Sequence, residues 1–333
     1  MYKKEVTGMQ YRKMGKWGVK LSVIGLGSYL TIGYKLDDKT SRDTIVRAYD
    51  GGVNFFDTSD AYNKGEAERV LGTCLSEFPR ESLFILTKCW LNITGYVNGG
   101  GLCAKHIIEA CHASMKRLKT DYIDLYMCHR PDSDTPLEET IRALEDLARQ
   151  GKIIYWGVSE WPAHLITRAN HVAREIGARP IGVSEPRYNL LYRYPERNLF
   201  PATLAEGIGN VVFSALAHGM LTGKYKPGEE APEGTRAADD DTNDVIKRLY
   251  WTEENKHRGQ ELVKIASGMG ITAAQLALAW CLKHPAVTSV ISAATKVSQV
   301  DDNIKAADVV IPDDVVRKIE GLYPPPETVE SEH

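Results

Sequence analysis

The 333-residue chain contains no stretch approaching the roughly 18 uninterrupted apolar residues of a membrane-crossing helix. Its opening, "MYKKEVTGMQ", has two lysines with no apolar run behind them, so no secretory leader is read from it and a cytoplasmic protein is expected. An excess of positive charge is missing too. Lys and Arg number 41 against 44 Asp and Glu, a formal net charge of -3. Without a basic run to hold a phosphate polymer or an anionic surface, neither nucleic acid nor membrane is an expected partner. The six cysteines, at 74, 89, 103, 111, 128 and 281, form no C-x-x-C pair and are too sparse for a secreted disulfide framework, so reduced thiols are expected. The nine histidines show no H-E-x-x-H or other ligand cluster, and no metal site is expected. A complete G-x-G-x-x-G is also absent. "GLGSYL" at 25–30 lacks the third glycine and does not open promptly into a helix, so it reads as a tight turn that sets Ser28 and Tyr29 on a pocket floor.

What is present is one rhythm, repeated. After an N-terminal hairpin expected from Met9 to Lys20, short apolar runs alternate with segments of helical period. "LSVIGLG" precedes Arg42 to Tyr49, "VNFFD" precedes Glu66 to Glu77, "LFILTK" precedes Ala104 to Leu118, and "YIDLYMCH" precedes Leu137 to Arg149. "IIYWGVS" precedes Ala163 to Ile176, "IGVSE" a short helix near Thr203, "VVFSAL" a segment from Glu254 to Lys283, and "TSVISA" Ser298 to Ala307. Strands apolar on both faces and separated by helices call for a parallel sheet under helical cover, and eight such units are the count of a closed α/β barrel. The expectation is a (β/α)8 TIM barrel with an N-terminal β-hairpin and a C-terminal extension. No Ser- or Gly-rich linker divides the chain, so 1–333 reads as a single domain with a barrel core over about 20–310 and a mobile tail at 324–333. Two insertions interrupt the rhythm: "LNITGYVNGGG" after the third strand, whose "NGGG" at 98–101 is read as a flexible substrate-side loop, and His218 to about Asn243 after the seventh.

In such a barrel the C-terminal strand ends converge on one mouth. The second strand ends in Asp57, with Tyr62 five residues on in "DTSDAY"; the third ends in Lys88 and the fourth in His129. Singly, each has an ordinary reading: Asp57 as an Asx turn, Lys88 as a snorkelling strand terminus, Tyr62 as a rim residue, His129 as a half-buried imidazole. Together they have a chemical logic. A phenol with a pKa near 10 is a poor acid at neutral pH, and an adjacent ammonium is expected to lower that value and stabilise the phenolate left behind. Asp57 would hold Lys88 charged, and His129 would donate a hydrogen bond to a substrate oxygen or relay its proton.

The stretches "GVNFFDTSDAYNKGEAERVLG", "TKCW", "ASMKRLKTDYIDLYMCHRPDSDTPLEETIRAL", "GKIIYWGVSEW", "YNLLYR", "ALAHGMLTGKY" and "QVDDNI" resemble the aldo-keto reductases. Within that family the resemblance is to the branch that includes potassium-channel β subunits and bacterial glyceraldehyde-phosphate reductases, and it runs from Tyr11 to Tyr323. It implies reversible hydride transfer between a nicotinamide and an aldehyde or ketone, with Tyr62 as acid, Lys88 and Asp57 tuning it, and His129 orienting the carbonyl. It also implies that Ser159 and Glu185 hold the carboxamide, that Phe213 with Ser214 flanks the ring, and that Ser28 lies on the cofactor side of the floor. Backbone from Leu216 onward, Lys224 and Arg236 would take the phosphates, and Thr295, Gln299, Asp302 and Asn303 the adenosine. Tyr29, Trp90, Trp161 and Tyr96 would wall the substrate pocket.

Departures from the family pattern bear on the cofactor. Glu185 stands where Gln is common; a carboxylate accepts from the carboxamide NH2 but cannot donate to its oxygen. Glu160 stands where an amide or Arg is common. Many members place Lys or Arg at positions corresponding to Ala293 and Gln299 to read a 2′-phosphate; with Lys296 and Arg236 able to compensate, NADPH is favoured over NADH. The resemblance is compatible with a monomer or with a homo-oligomer of two, four or eight copies. Two rivals are weighed. A channel-β-like regulatory subunit would carry Asn where this chain has His129, and a hydrolase pairing Asp57 with Glu185 leaves Lys88, Tyr62 and the phosphate-binding stretch without a role.

Overall fold

The computed structural model describes residues 8–327. Two short antiparallel strands, β1 (Tyr11–Lys13) and β2 (Lys20–Ser22), precede eight that close a parallel barrel: β3 (Ile24–Gly27), β4 (Phe55–Asp57), β5 (Phe84–Cys89), β6 (Ile123–Cys128), β7 (Ile153–Ser159), β8 (Val183–Glu185), β9 (Gly209–Val212) and β10 (Val287–Ser292). β10 pairs with β3 to complete the ring. Outside it run α1 (Asp38–Asp50), α2 (Glu66–Leu75), α3 (Ala104–Leu118), α4 (Leu137–Arg149), α5 (Ala163–Glu175), α6 (Leu199–Glu206), α7 (Asp244–Leu249), α8 (Glu253–Gly268), α9 (Ala273–Lys283), α10 (Val297–Lys305) and α11 (Asp313–Leu322). The expected TIM barrel, hairpin and extension are all present. Among the described residues no single helix is long and apolar enough to cross a membrane.

Two apolar clusters divide the strands by parity. Phe55, Leu86, Leu125, Met127, Val183 and Val211 fill the barrel interior together with Met14 and Leu21 of the hairpin, which plugs the barrel's N-terminal end. Their neighbours Phe56, Ile85, Tyr126 and Cys128 belong to the layer between strands and helices. Because side chains alternate along a strand, inward parity continues from Phe55 to Asp57, from Leu86 to Lys88, from Met127 to His129 and from Val183 to Glu185. The polar residues at the mouth are thus the last inward positions of β4, β5 and β8 and the first residue beyond β6.

Between α2 and α3, glycine decides the spacing. A Cβ on Gly72 of α2 would stand 2.4 Å from the Leu118 Cα at the end of α3. Gly72→Ala is therefore expected to lower stability by about 1–3 kcal/mol, the scale of an overpacked core. Denaturant unfolding reads this, and an unchanged midpoint would contradict the close packing of α2 on α3.

The elements depart from the expected boundaries: the hairpin reaches Ser22, α1 starts at Asp38 and α2 ends at Leu75. The segment expected to run from Glu254 to Lys283 is two helices, because Gly270 takes a φ of +71° and Thr272 starts α9 with a capping box closed by Gln275. β9 begins at Gly209 and ends before Phe213. α7 follows directly on the second insertion, and α11 was not anticipated. Of the tail, 328–333 lie outside the described residues, while the Pro326 carbonyl accepts from Arg197 Nε at 2.8 Å.

Candidate active site

Asp57 ends β4, and the chain turns so that Tyr62 opens a short 3-10 segment, with Asn63 and Lys64 left-handed at φ 47° and 52°. That turn brings the Tyr62 hydroxyl to 3.3 Å from Lys88 Nζ. Lys88 is fully buried. Its ammonium donates to Asp57 Oδ1, to the Thr58 carbonyl at 3.0 Å and to Tyr62 Oη. An ammonium has three hydrogens, so all are used. Glu185 Oε2, though only 3.4 Å from Nζ, is left with an ion-pair distance and no hydrogen bond. The His129 ring meets the Tyr62 ring edge-on with centroids 5.8 Å apart, and Tyr29 lies 5.0 Å from Tyr62 on another side. The four residues expected to act together are within one hydrogen-bonded cluster and its ring contacts.

The electrostatics correct one expectation. Burial raises the Tyr62 pKa above its ordinary value; Lys88 pulls it down, as expected, but Asp57 and Glu185 push the other way and burial wins. The phenol therefore stays protonated across the neutral range, and Lys88 acts on the phenolate only when it forms. Burial also works against the Lys88 ammonium, but Asp57 and then Glu185 outweigh it and its pKa is raised. With Asp57 in direct contact, Glu185 is the surplus carboxyl: burial, opposed by Lys88, pushes it up to about 8. His129 is held well below its usual value by burial, then by Lys88 and Arg130, so its ring is neutral.

Glu185 gives a prediction whose sign is fixed by linkage. A carboxyl raised from about 4.5 to about 8 on folding keeps its stability contribution at low pH and loses it as pH rises through that window. Glu185→Gln is expected to match the wild type near pH 5 and to exceed it by a few kcal/mol near pH 9, at ~1.4 kcal/mol per pKa unit. Urea unfolding at the two pH values measures this, and equal stabilities at both would contradict a protonated Glu185.

Around this centre the residues implied by resemblance fall into three groups. Ser28, Ser159, Glu185 and Phe213 surround the inner mouth. Ser28 is buried with its Oγ unpartnered, Ser159 Oγ donates to the Glu185 carbonyl at 3.2 Å, and Phe213 packs half-buried on the barrel interior. Glu160 is half-buried: at a φ of +56° its Oε1 accepts from the Arg187 N–H at 2.7 Å. The second group follows β9. Ser214, Ala217 and His218 adopt positive φ around the Leu216 turn, a strained backbone of the kind found at binding loops. Arg236 Nη1 donates to His218 Nδ1 at 2.9 Å, burial lowers the pKa of Arg236, and desolvation of its ammonium, followed by Arg236, lowers that of Lys224. An anion between these cations would relieve both.

The third group bonds within itself and to the start of α9. Gln299 Oε1 accepts from Thr295 N at 2.7 Å and from its hydroxyl, and Asp302 accepts from Thr272 Oγ1 and Gln275 Nε2 at the start of α9. Asn303 is buried. On the substrate side Tyr29 and Tyr96 are exposed and Trp90 half-buried, but Trp161 is 2% exposed and packs into the outer core. Trp161 follows Glu160, which takes a positive φ. Sequence reasoning missed Ser59 and Asp60, both fully or almost fully buried, with Ser59 Oγ 3.1 Å from His129 Nδ1. Their place inside "DTSDAY" was the available signal.

The sequence model of the aldo/keto reductase family matches residues 23–324. The chain is 40% identical over 305 residues to a protein of Arabidopsis thaliana named a probable voltage-gated potassium channel subunit beta, covering 91% of this chain and 92% of that one. It is 38% identical over 319 residues to a protein of the same name from Oryza sativa subsp. japonica, covering 94% and 96%. A putative voltage-gated potassium channel subunit beta of Schizosaccharomyces pombe is 38% identical over 321 residues, covering 94% and 92%.

Proposed function

The chain belongs to the aldo/keto reductase family, and on that premise we propose that it is an NADPH-dependent reductase of small aldehydes or ketones, acting in the cytoplasm. The observation that carries this reading is the Lys88 ammonium, wholly buried and shared between the Asp57 carboxylate and the Tyr62 hydroxyl. When bound, the dihydronicotinamide supplies a hydride to the carbonyl carbon. Tyr62 Oη gives its proton to the carbonyl oxygen, and the phenolate that remains faces an ammonium 3.3 Å away. Asp57 keeps that ammonium in place and charged. The neutral His129 orients the carbonyl oxygen by hydrogen bonding. The buried barrel interior beneath excludes water from the inner end of the site.

The residues present fit a nicotinamide dinucleotide. Glu185, protonated at neutral pH, offers one donor and one acceptor, which is the capacity an amide would bring to a carboxamide. Ser28 Oγ and Glu185 Oε2 are buried without hydrogen-bond partners, and such atoms in native sites ordinarily meet a ligand or water. Lys224 and Arg236 would hold the phosphates, and the cationic surroundings of Arg236 and Lys296 favour NADPH over NADH. Titrating the protein with each cofactor by quenching of intrinsic fluorescence, then following NADPH consumption over aldehydes, ketoses and sugar phosphates, tests the reading. Cofactor binding without turnover of any carbonyl would favour the second reading, an accessory subunit that holds nicotinamide, for which the names of the relatives speak.

A further inference from the structure

Behind His129 the loop after β4 holds two residues that the reaction leaves unused. Ser59 Oγ is buried 3.1 Å from His129 Nδ1 and 3.3 Å from Asp60 Oδ1. The Ala61 N–H donates to the same Oγ at 3.2 Å, and the other acceptor in reach, the Lys88 carbonyl, stands at 3.5 Å, the outer limit of a hydrogen bond. Asp60 is 1% exposed and its Oδ2 has no partner. A hydroxyl has one hydrogen and two lone pairs. With one lone pair taken by Ala61, two arrangements satisfy the line from Asp60 to the ring. In the first, a protonated Asp60 donates to Ser59, Ser59 donates to Nδ1, and the ring hydrogen sits on Nε2. In the second, Nδ1–H donates to Ser59, Ser59 donates to the Asp60 carboxylate, and Nε2 carries a lone pair.

We propose that Ser59 and Asp60 are positioning residues that set the tautomer of His129: with Asp60 protonated, Nε2 donates to a carbonyl oxygen, and with Asp60 ionised, Nε2 accepts from an alcohol. The inference rests on the carbonyl-reductase reading of the site. The two states differ by one proton. It leaves from Nε2 to solvent at the mouth, while the Ser59 hydrogen moves to Nδ1 and the Asp60 hydrogen moves to Ser59.

The surroundings bring the two states close in energy. Burial, then Glu68 of α2, pushes the Asp60 carboxyl up to about 7, against Arg117 of α3 and the hydrogen bonds of Ser59 and Ala61. Cys89 of β5 and Tyr126 of β6 also face Asp60; burial above all raises both well beyond their ordinary values, so they stay neutral. Lys88 and Arg130 face His129 and, after burial, keep the ring uncharged in both states. Only its tautomer changes.

Nitrogen-15 spectra of histidine-labelled protein read that tautomer without any turnover, with His129 assigned by its loss in His129→Asn. The wild type is expected to show Nε2–H below about pH 6 and Nδ1–H above about pH 8, a change of neutral form rather than of charge. Asp60→Asn, which cannot titrate, is expected to hold one tautomer throughout. In kinetics, kcat/KM for carbonyl reduction should fall about tenfold as pH rises through about 7, the scale of one hydrogen bond exchanged for a repulsion, and this fall should vanish in Asp60→Asn. A wild-type ring with one tautomer from about pH 5.5 to 8.5 overturns the dyad whether or not the protein turns over. A tautomer change in a protein that reduces no carbonyl overturns the reductase reading instead and leaves the hydrogen-bond chain standing.

Discussion

Tyr62→Phe is expected to slow carbonyl reduction at least ~100-fold while NADPH still quenches the protein's fluorescence with wild-type affinity. Phenylalanine keeps the ring, and with it the contacts to Tyr29 and His129. What it removes is the one proton donor 3.3 Å from the buried ammonium. Because burial holds the Tyr62 pKa above its ordinary value, the wild-type acid stays loaded across the neutral range, so the deficit in the variant should be nearly constant from pH 6 to 8. Steady-state rates over that range, together with the binding titration, check both parts. A variant that retains wild-type turnover would mean that another group delivers the proton.

Lys88→Met is expected to destabilise the fold by about 3–5 kcal/mol at pH 8, the cost of stranding a buried charge. The ammonium is the counter-ion of two buried carboxyls, Asp57 at hydrogen-bond contact and Glu185 at 3.4 Å. Without it Asp57 must take up a proton to stay inside, and Glu185 must hold the one it has at neutrality. The penalty should shrink as pH falls toward the ordinary carboxyl range, because protonation then removes the stranded charge in folded and unfolded chains alike. Asp57→Asn added to Lys88→Met should restore most of the loss, since the neutral pair leaves only Glu185, already protonated near neutrality. Denaturant unfolding of the wild type, the single variant and the double variant at pH 5 and 8 measures this. If the single variant unfolds at the wild-type midpoint, Lys88 is not the charge that balances the barrel mouth.

The barrel was legible because its strands advertise burial on both faces. Runs such as "LFILTK" and "YIDLYMCH" have no solvent-facing register, and eight of them with intervening helices leave few other architectures. The active residues were legible for a related reason: Asp57, Lys88 and His129 are polar interruptions at the last inward position of otherwise apolar strands. Other features depend on depth, which a sequence does not carry. That Lys88 would lower the Tyr62 pKa follows from chemistry alone; that burial would outweigh it required the closed mouth. Glu185 reads in the sequence only as a carboxylate where Gln is common; that burial would raise its pKa against Lys88, whose three hydrogens go to other acceptors, depends on the closed mouth. Asp302 carries the family pattern, yet Thr272 and Gln275 bind it from the start of α9, a helix boundary that a continuous apolar periodicity had concealed.

The most direct measurement is the fate of the hydride. Incubating the protein with a simple aldehyde and NADPH deuterated at both nicotinamide C4 positions should yield an alcohol with one deuterium on the carbinol carbon, detected by mass spectrometry, and Tyr62→Phe should suppress its formation. Deuterated NADPH that binds and is recovered intact, with no labelled alcohol formed from any carbonyl offered, would contradict the assignment of this barrel mouth to carbonyl reduction.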